Sequence, residues 1–124
     1  MTALPHFDII GEAGPALRDR FPFIEQFGVN LYLEAPESGG ELQIWDLTLD
    51  RVRSRNIAST SGTYGFDPER LPPPDVTIKP CAGDLVIVRS TRLHAVRETT
   101  EGRRVSISGF MGRGQDQDVL RLWS

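Results

Sequence analysis

Residues 83–110 read GDLVIVRSTRLHAVRETTEGRRVSISGF, three strand-length segments in succession with no helical period among them. A turn at Ala82-Gly83-Asp84 leads into an apolar strand over Leu85–Val88. A second strand opens on His94, residues 98–103 form a charged turn, and a third strand covers residues 104–110. The same texture runs through the rest of the chain. Over residues 27–33, Val29, Leu31 and Leu33 alternate with Gly28, Asn30 and Tyr32, followed by a turn at residues 34–40. Residues 41–46 form another strand, with Leu42 and Ile44 on one face and Gln43 and Trp45 on the other. A weaker pattern predicts a strand over residues 51–58, and short strands follow at Val76–Ile78 and residues 119–123. Residues 6–10 read as the end of a strand or the turn after it, and residues 11–22 as a loop with room for one helical turn. Residues 59–74 form a long irregular connection, of a length that is usually functional or disordered. Seven or eight short strands with Gly/Pro turns predict an all-β sandwich or barrel, with a jelly roll the leading choice.

Composition narrows the class of partner. A chain of 124 residues is enough for one domain spanning residues 1–124 and too short for two. A charged fraction of 25% with 39% hydrophobic residues is that of an ordinary globular chain, and a net charge of -3 gives no footprint for nucleic acid. No apolar run approaches membrane-span length, and the first residues lack a signal-peptide core. Cys81 is the single cysteine, so no internal disulfide forms; a reducing, cytoplasmic setting is expected.

The chain has two histidines. His6 stands in His6-Phe7-Asp8, and His94 opens a late strand. Two imidazoles and a carboxylate are the donor set that holds Fe(II) on one face of an octahedron, leaving adjacent positions open. The i, i+2 spacing lets His6 and Asp8 point to one side of an extended backbone. Singly, each feature is more often a local hydrogen-bonded turn or a capped strand end than a ligand.

A second cluster follows. Arg104, Ser106 and Ser108 share one face of their strand. If that face is turned inward, the guanidinium needs an anion, because an unpaired buried charge is expensive, and a carboxylate can pair with it bidentately. The competing reading is a solvated sheet face. Tyr32, with Asn30, lies opposite the apolar face of its own strand and points either to water or into a polar pocket.

Taken in order, His6-Phe7-Asp8, Tyr32-Leu33, Gly39-Gly40-Glu41-Leu42, Gly83-Asp84-Leu85-Val86, His94-Ala95-Val96 and Arg104-Val105-Ser106 resemble the Fe(II)/2-oxoglutarate-dependent oxygenases, within them the prolyl-4-hydroxylase-like branch. The resemblance implies a double-stranded β-helix, with the N-terminal helices usual in that group largely missing. It implies Fe(II) on His6, Asp8 and His94, and 2-oxoglutarate held by Arg104, Tyr32 and Ser106, with ascorbate as a further reductant. The implied reaction consumes O2, releases succinate and CO2, and hydroxylates an unactivated C–H bond. In related halogenases the position of Asp8 is Gly or Ala, which leaves room for chloride, so a carboxylate there implies hydroxylation.

For the substrate, a small molecule or an amino-acid side chain, the expected pocket walls are Trp45, Tyr64 and Phe66 in the loop 59–74, and the loop 11–23. Arg89 and Arg92 are candidates for an acidic group. Trp45 is more often a core residue than a substrate platform, and each of the two arginines is more often a solvated strand end. An apolar sheet face left bare by the short N-terminus is expected to drive homodimerisation. Two other readings compete: a truncated jelly-roll binding or structural domain without catalysis, and a cupin-like metal enzyme that does not use 2-oxoglutarate. Cupins usually offer more His ligands than this chain holds.

Overall fold

The computed structural model describes residues 3–20, 22–57, 65–115 and 119–124. Ten strands appear among them: β1 (Ala3–His6), β2 (Glu25–Glu34), β3 (Ser38–Gly39), β4 (Leu42–Ile44), β5 (Val76–Ile78), β6 (Leu85–Val88), β7 (His94–Val96), β8 (Thr99–Glu101), β9 (Val105–Arg113) and β10 (Leu120–Trp123). Two short helices, α1 (Pro15–Arg20) and α2 (Leu49–Ser54), and two single 3-10 turns complete the elements. The strands form two four-stranded antiparallel sheets, ordered β1-β7-β4-β5 and β10-β9-β2-β6, with the small ladder β3-β8 beside them. This is the expected jelly roll. No helix of the described residues is long and apolar enough to cross a membrane.

Side-chain direction in β2 decides what lies between the sheets. Gln26, Gly28 and Tyr32 are buried, whereas Leu33 is half exposed. The polar-looking face of the strand therefore points inward and its apolar face outward. Antiparallel pairing carries the same inversion to the neighbours. Leu31 sits opposite Leu85 and Ile107, and Val29 opposite Ile87 and Gly109. Ile107 is 60% exposed, Leu122 75%, and Leu85, Ile87 and Leu120 each more than half. The outer face of this sheet is thus a broad aliphatic surface, the bare face expected from the sequence.

The main hydrophobic cluster lies elsewhere. Trp45, Leu47, Val52, Leu93 and Ala95 are buried together, with Phe7, Ile57, Phe66 and Leu71 packed against them. Residues alternate across a strand, so His94 and Ala95 face opposite sides of β7. Ala95 meets this core on the far side, and His94 faces the other sheet. The space between the sheets is left for a cavity, and the fold is anchored behind it.

Two local expectations are corrected. Residues 51–58 do not begin as a strand, because α2 occupies Leu49–Ser54. The Thr48 side chain caps it by accepting a hydrogen bond from the Arg51 N–H, and Asp50 stands in its first turn. Val52 is its one buried side chain, and Asn56, with φ 51°, ends the segment in a left-handed turn. The charged turn at residues 98–103 contains a strand. Thr99–Glu101 pairs with Ser38–Gly39, and Gly39 lies so close to the Glu98 carbonyl that any β-carbon there would overlap it. The loop 11–22 holds one 3-10 turn, Ile10–Ala13, and then α1.

Candidate metal and anion site

β1 and β7 pair antiparallel with His6 opposite His94, which brings two residues far apart in sequence to a ring separation of 4.4 Å. Each imidazole is fixed in the same way. His6 Nδ1 lies 2.6 Å from the Leu4 carbonyl oxygen and His94 Nδ1 lies 2.8 Å from that of Arg92. A carbonyl only accepts, so Nδ1 carries the proton in both rings and Nε2 is the atom left to bind. Both Nε2 atoms face Asp8, whose Oδ2 is 3.6 Å from His6 and 3.3 Å from His94. One donor atom from each of the three residues falls within 4.8 Å of the others. His-fixing carbonyls of this kind are the usual outer partners of metal-bound imidazoles.

The electrostatics suit a cation. Burial works against the Asp8 carboxylate, but hydrogen bonds from His6 and His94 and their charge outweigh it, holding the group far below the usual carboxylate range. Burial also opposes a charged His6, yet hydrogen bonds to Asp8 and to the Leu4 carbonyl, with the Asp8 charge, raise its pKa above the ordinary 6.5. Asp8 thus stays ionised and attracts positive charge, which a proton supplies in the absence of a metal.

The cavity reaching from these residues has a volume of about 240 Å³ and runs between the sheets. Its walls include Leu42 and Val96 on the histidine-bearing sheet and Gly28, Asn30, Tyr32, Val88 and Phe110 on the other. Arg104 closes it. The Arg104 guanidinium carbon lies 5.2 Å from the centre of the Tyr32 ring, and its Nε is buried with no hydrogen-bond partner. Arg103 points the other way, exposed, and forks onto Glu34. Ser106 sits opposite Tyr32 on the β2–β9 ladder, but the serine that lines the cavity is Ser108, which donates to Asn30 Oδ1 at 2.6 Å. Asn30 and Ser108 are therefore wall residues that the sequence placed on the correct faces without giving them a role.

Of the remaining candidates, Trp45, Arg89, Arg92 and Phe66 are not among the residues that line this cavity. Trp45 is 3% exposed in the core and donates its indole N–H to the Pro72 carbonyl. Arg89 pairs with Glu25 and lies over Phe27, and Arg92 pairs with Asp46. Phe66 packs edge-on against Phe7 in the core. Tyr64 lies outside the described residues.

A histidine-carboxylate triad facing an arginine across a jelly-roll cavity is an arrangement to set beside known proteins. The family of the carrier-protein-independent halogenase WelO5 matches residues 16–124. The chain belongs to that family. The WelO5-family match takes in Tyr32, His94 and Arg104 and begins beyond His6 and Asp8. The L-isoleucine 3(1)-dioxygenase of Pantoea ananatis (strain AJ13355) is 31% identical over 124 residues, 97% of this chain and 42% of that protein. The L-gamma-glutamyl-L-propargylglycine hydroxylase of Streptantibioticus cattleyicolor is 30% identical over 125 residues, 99% of this chain and 44% of that protein. The solved structure of an N-substituted L-amino acid dioxygenase from Burkholderia ambifaria AMMD covers the whole chain with a TM-score of 0.64 at 22% identity, the chain spanning 49% of it. That likeness is one of fold. The chain spans less than half the length of the curated relatives it matches.

Two Nε2 atoms and a carboxylate converge, with both imidazoles locked from behind. Arg104, whose buried Nε has no hydrogen-bond partner, lines the same cavity. The first set fits a divalent cation and the second an anion.

Proposed function

We propose that this chain carries the catalytic jelly roll of an Fe(II)- and 2-oxoglutarate-dependent oxygenase that hydroxylates an unactivated C–H bond of an amino acid or a related small molecule. The observation that carries this reading is one cavity lined by His6, Asp8 and His94 at one place and by Arg104, whose buried Nε has no hydrogen-bond partner, at another. In this reading His6, Asp8 and His94 bind the metal on one face, and Arg104 pairs with the distal carboxylate of 2-oxoglutarate. The Tyr32 hydroxyl assists at the same carboxylate; Ser106 stands opposite it. Iron and 2-oxoglutarate, when bound, supply the activation of O2, with succinate and CO2 released. Leu42, Val88, Val96 and Phe110 keep part of the wall apolar, which suits an aliphatic group presented for oxidation. Asp8 would supply a carboxylate ligand where related halogenases leave room for a halide, which supports hydroxylation within a family named for a halogenase. The prolyl-4-hydroxylase-like placement belongs to this proposal and rests on the ordered motifs alone. The amino-acid substrate class is suggested by the names of the relatives.

The test is anaerobic addition of Fe(II) and then 2-oxoglutarate to the chain, followed in the visible for the weak metal-to-ligand charge-transfer band. A band that needs both additions is expected. Its absence overturns the oxygenase reading and favours the alternative, a jelly-roll binding domain without turnover. Succinate formed from 2-oxoglutarate in air supports the class before any substrate is known. The proposal includes a homodimer that covers the aliphatic outer face of the β2 sheet; a monomer by light scattering at micromolar concentration counts against it.

A further inference from the structure

Asp8 stands two residues beyond the end of β1, outside the strand ladders, yet it must present its carboxylate to the two histidines within a few tenths of an ångström. Something other than the sheet has to hold its main chain. We propose that Gln26 and Ser90 are positioning residues for the metal centre, acting together as a clamp on the Asp8 peptide unit. The inference rests on the reading of His6, Asp8 and His94 as metal ligands.

The clamp comes from two distant parts of the chain. Ser90 is fully buried and Gln26 is 5% exposed. Ser90 brackets Asp8 from both sides: its carbonyl accepts the Asp8 N–H at 3.0 Å, and its Oγ donates to the Asp8 carbonyl at 3.0 Å. Gln26 uses both ends of its amide. Its Nε2 donates to the same Asp8 carbonyl at 2.8 Å, and its Oε1 accepts the Ile10 N–H at 2.9 Å. The Ser90 N–H donates to the Gln26 carbonyl at 3.2 Å, so the clamp is tied to itself. Buried polar side chains are costly unless satisfied, and here both are satisfied on the peptide that carries a ligand. With the main chain of Asp8 held at both its N–H and its carbonyl, the carboxylate has only its side-chain torsions to settle. Outer-shell groups that orient ligands commonly change metal affinity by about 10–100-fold when removed.

Three variants of the intact chain test this. Gln26→Met keeps length and volume and removes both hydrogen bonds; Ser90→Ala removes one hydroxyl. Val52→Ala opens the core beneath α2, removes none of these hydrogen bonds, and controls for a general loss of stability. Anaerobic Fe(II) or Co(II) titration is expected to show binding weakened about 10–100-fold in the first two and within about twofold of wild type in the third. Without metal, the Ile10 amide of Gln26→Met is expected to exchange with solvent at least tenfold faster than in wild type, with Gln43 in β4 unchanged. Circular dichroism verifies folding; if Gln26→Met does not fold, Ser90→Ala carries the metal test alone. Folded variants that bind metal as wild type does, or a Val52→Ala variant that loses as much, overturn the clamp. An unchanged Ile10 exchange rate overturns the Gln26 arm. A wild-type chain that takes up no metal, even with the exchange difference present, overturns the metal-centre reading and with it the assignment of the clamp to that centre.

Discussion

His94→Ala is expected to reduce Fe(II) affinity by more than ~100-fold and to abolish the visible band with 2-oxoglutarate, while the chain stays folded. The magnitude exceeds that of removing an outer-shell partner because a donor atom itself is lost. The remaining pair, His6 and Asp8, could hold a metal only with water in the third place. The fold is expected to tolerate the change. His94 belongs to a strand whose ladder bonds are made by the backbone, with His6 opposite on one side and Ile44 on the other. Its ring faces the cavity, so its removal leaves the core of Trp45, Leu93 and Ala95 in place. Asp8 would lose one of the two imidazoles that hold its pKa down, and burial would then count for more. Anaerobic titration of Fe(II), with circular dichroism as the folding control, checks this. Wild-type affinity in the variant would remove His94 from the ligand set.

Much of the strand content of this fold was legible because strands such as β2 alternate. Val29, Leu31 and Leu33 against Gly28, Asn30 and Tyr32 define a strand whatever surrounds it. Which face turns inward was not legible from that alternation. The rule that apolar faces go inside fails for β2, because its inward face lines a cavity of mixed polar and apolar walls and the aliphatic face is left outside. The Arg104–Ser106–Ser108 face was open to the same doubt, and only the position of β9 beside β2 settles it. The helix α2 was missed for a different reason. Its six residues show a single buried side chain, Val52, too little to set up a helical period, and the signal lay in Thr48 as a cap and Asn56 as a stop. The triad was legible as residue types in order. The clamp on Asp8 was not, since nothing local marks Gln26 or Ser90: their role arises from hydrogen bonds that span 18 and 82 residues. Trp45 shows the reverse. An aromatic residue near a site attracts a substrate role, but this one follows β4 directly and is buried with Leu93 and Ala95 in the core.

Arg104→Ala is expected to weaken 2-oxoglutarate binding to the Fe(II)-loaded chain by about 2–5 kcal/mol, which is roughly 30-fold to several-thousandfold in Kd. The effect on stability should have the opposite character. In the chain without ligand the Arg104 Nε is buried and makes no hydrogen bond, so its desolvation is uncompensated and its removal costs little or nothing. What is lost is packing of the guanidinium over the Tyr32 ring, a contact at 5.2 Å worth about 0.5–2 kcal/mol at most. A melting temperature near or above that of wild type, together with severe loss of ligand affinity, is therefore the expected pair of results. A residue kept for structure would show the reverse. Arg104→Lys separates charge from shape: it keeps the positive end but loses the planar fork, and should fall between wild type and alanine. Arg103→Ala is the matched control, since Arg103 is exposed and engaged with Glu34 on the outer surface. It should leave 2-oxoglutarate affinity unchanged. If Arg103→Ala and Arg104→Ala weakened the ligand equally, the effect would be one of general surface charge, and the inward guanidinium would lose its assigned role.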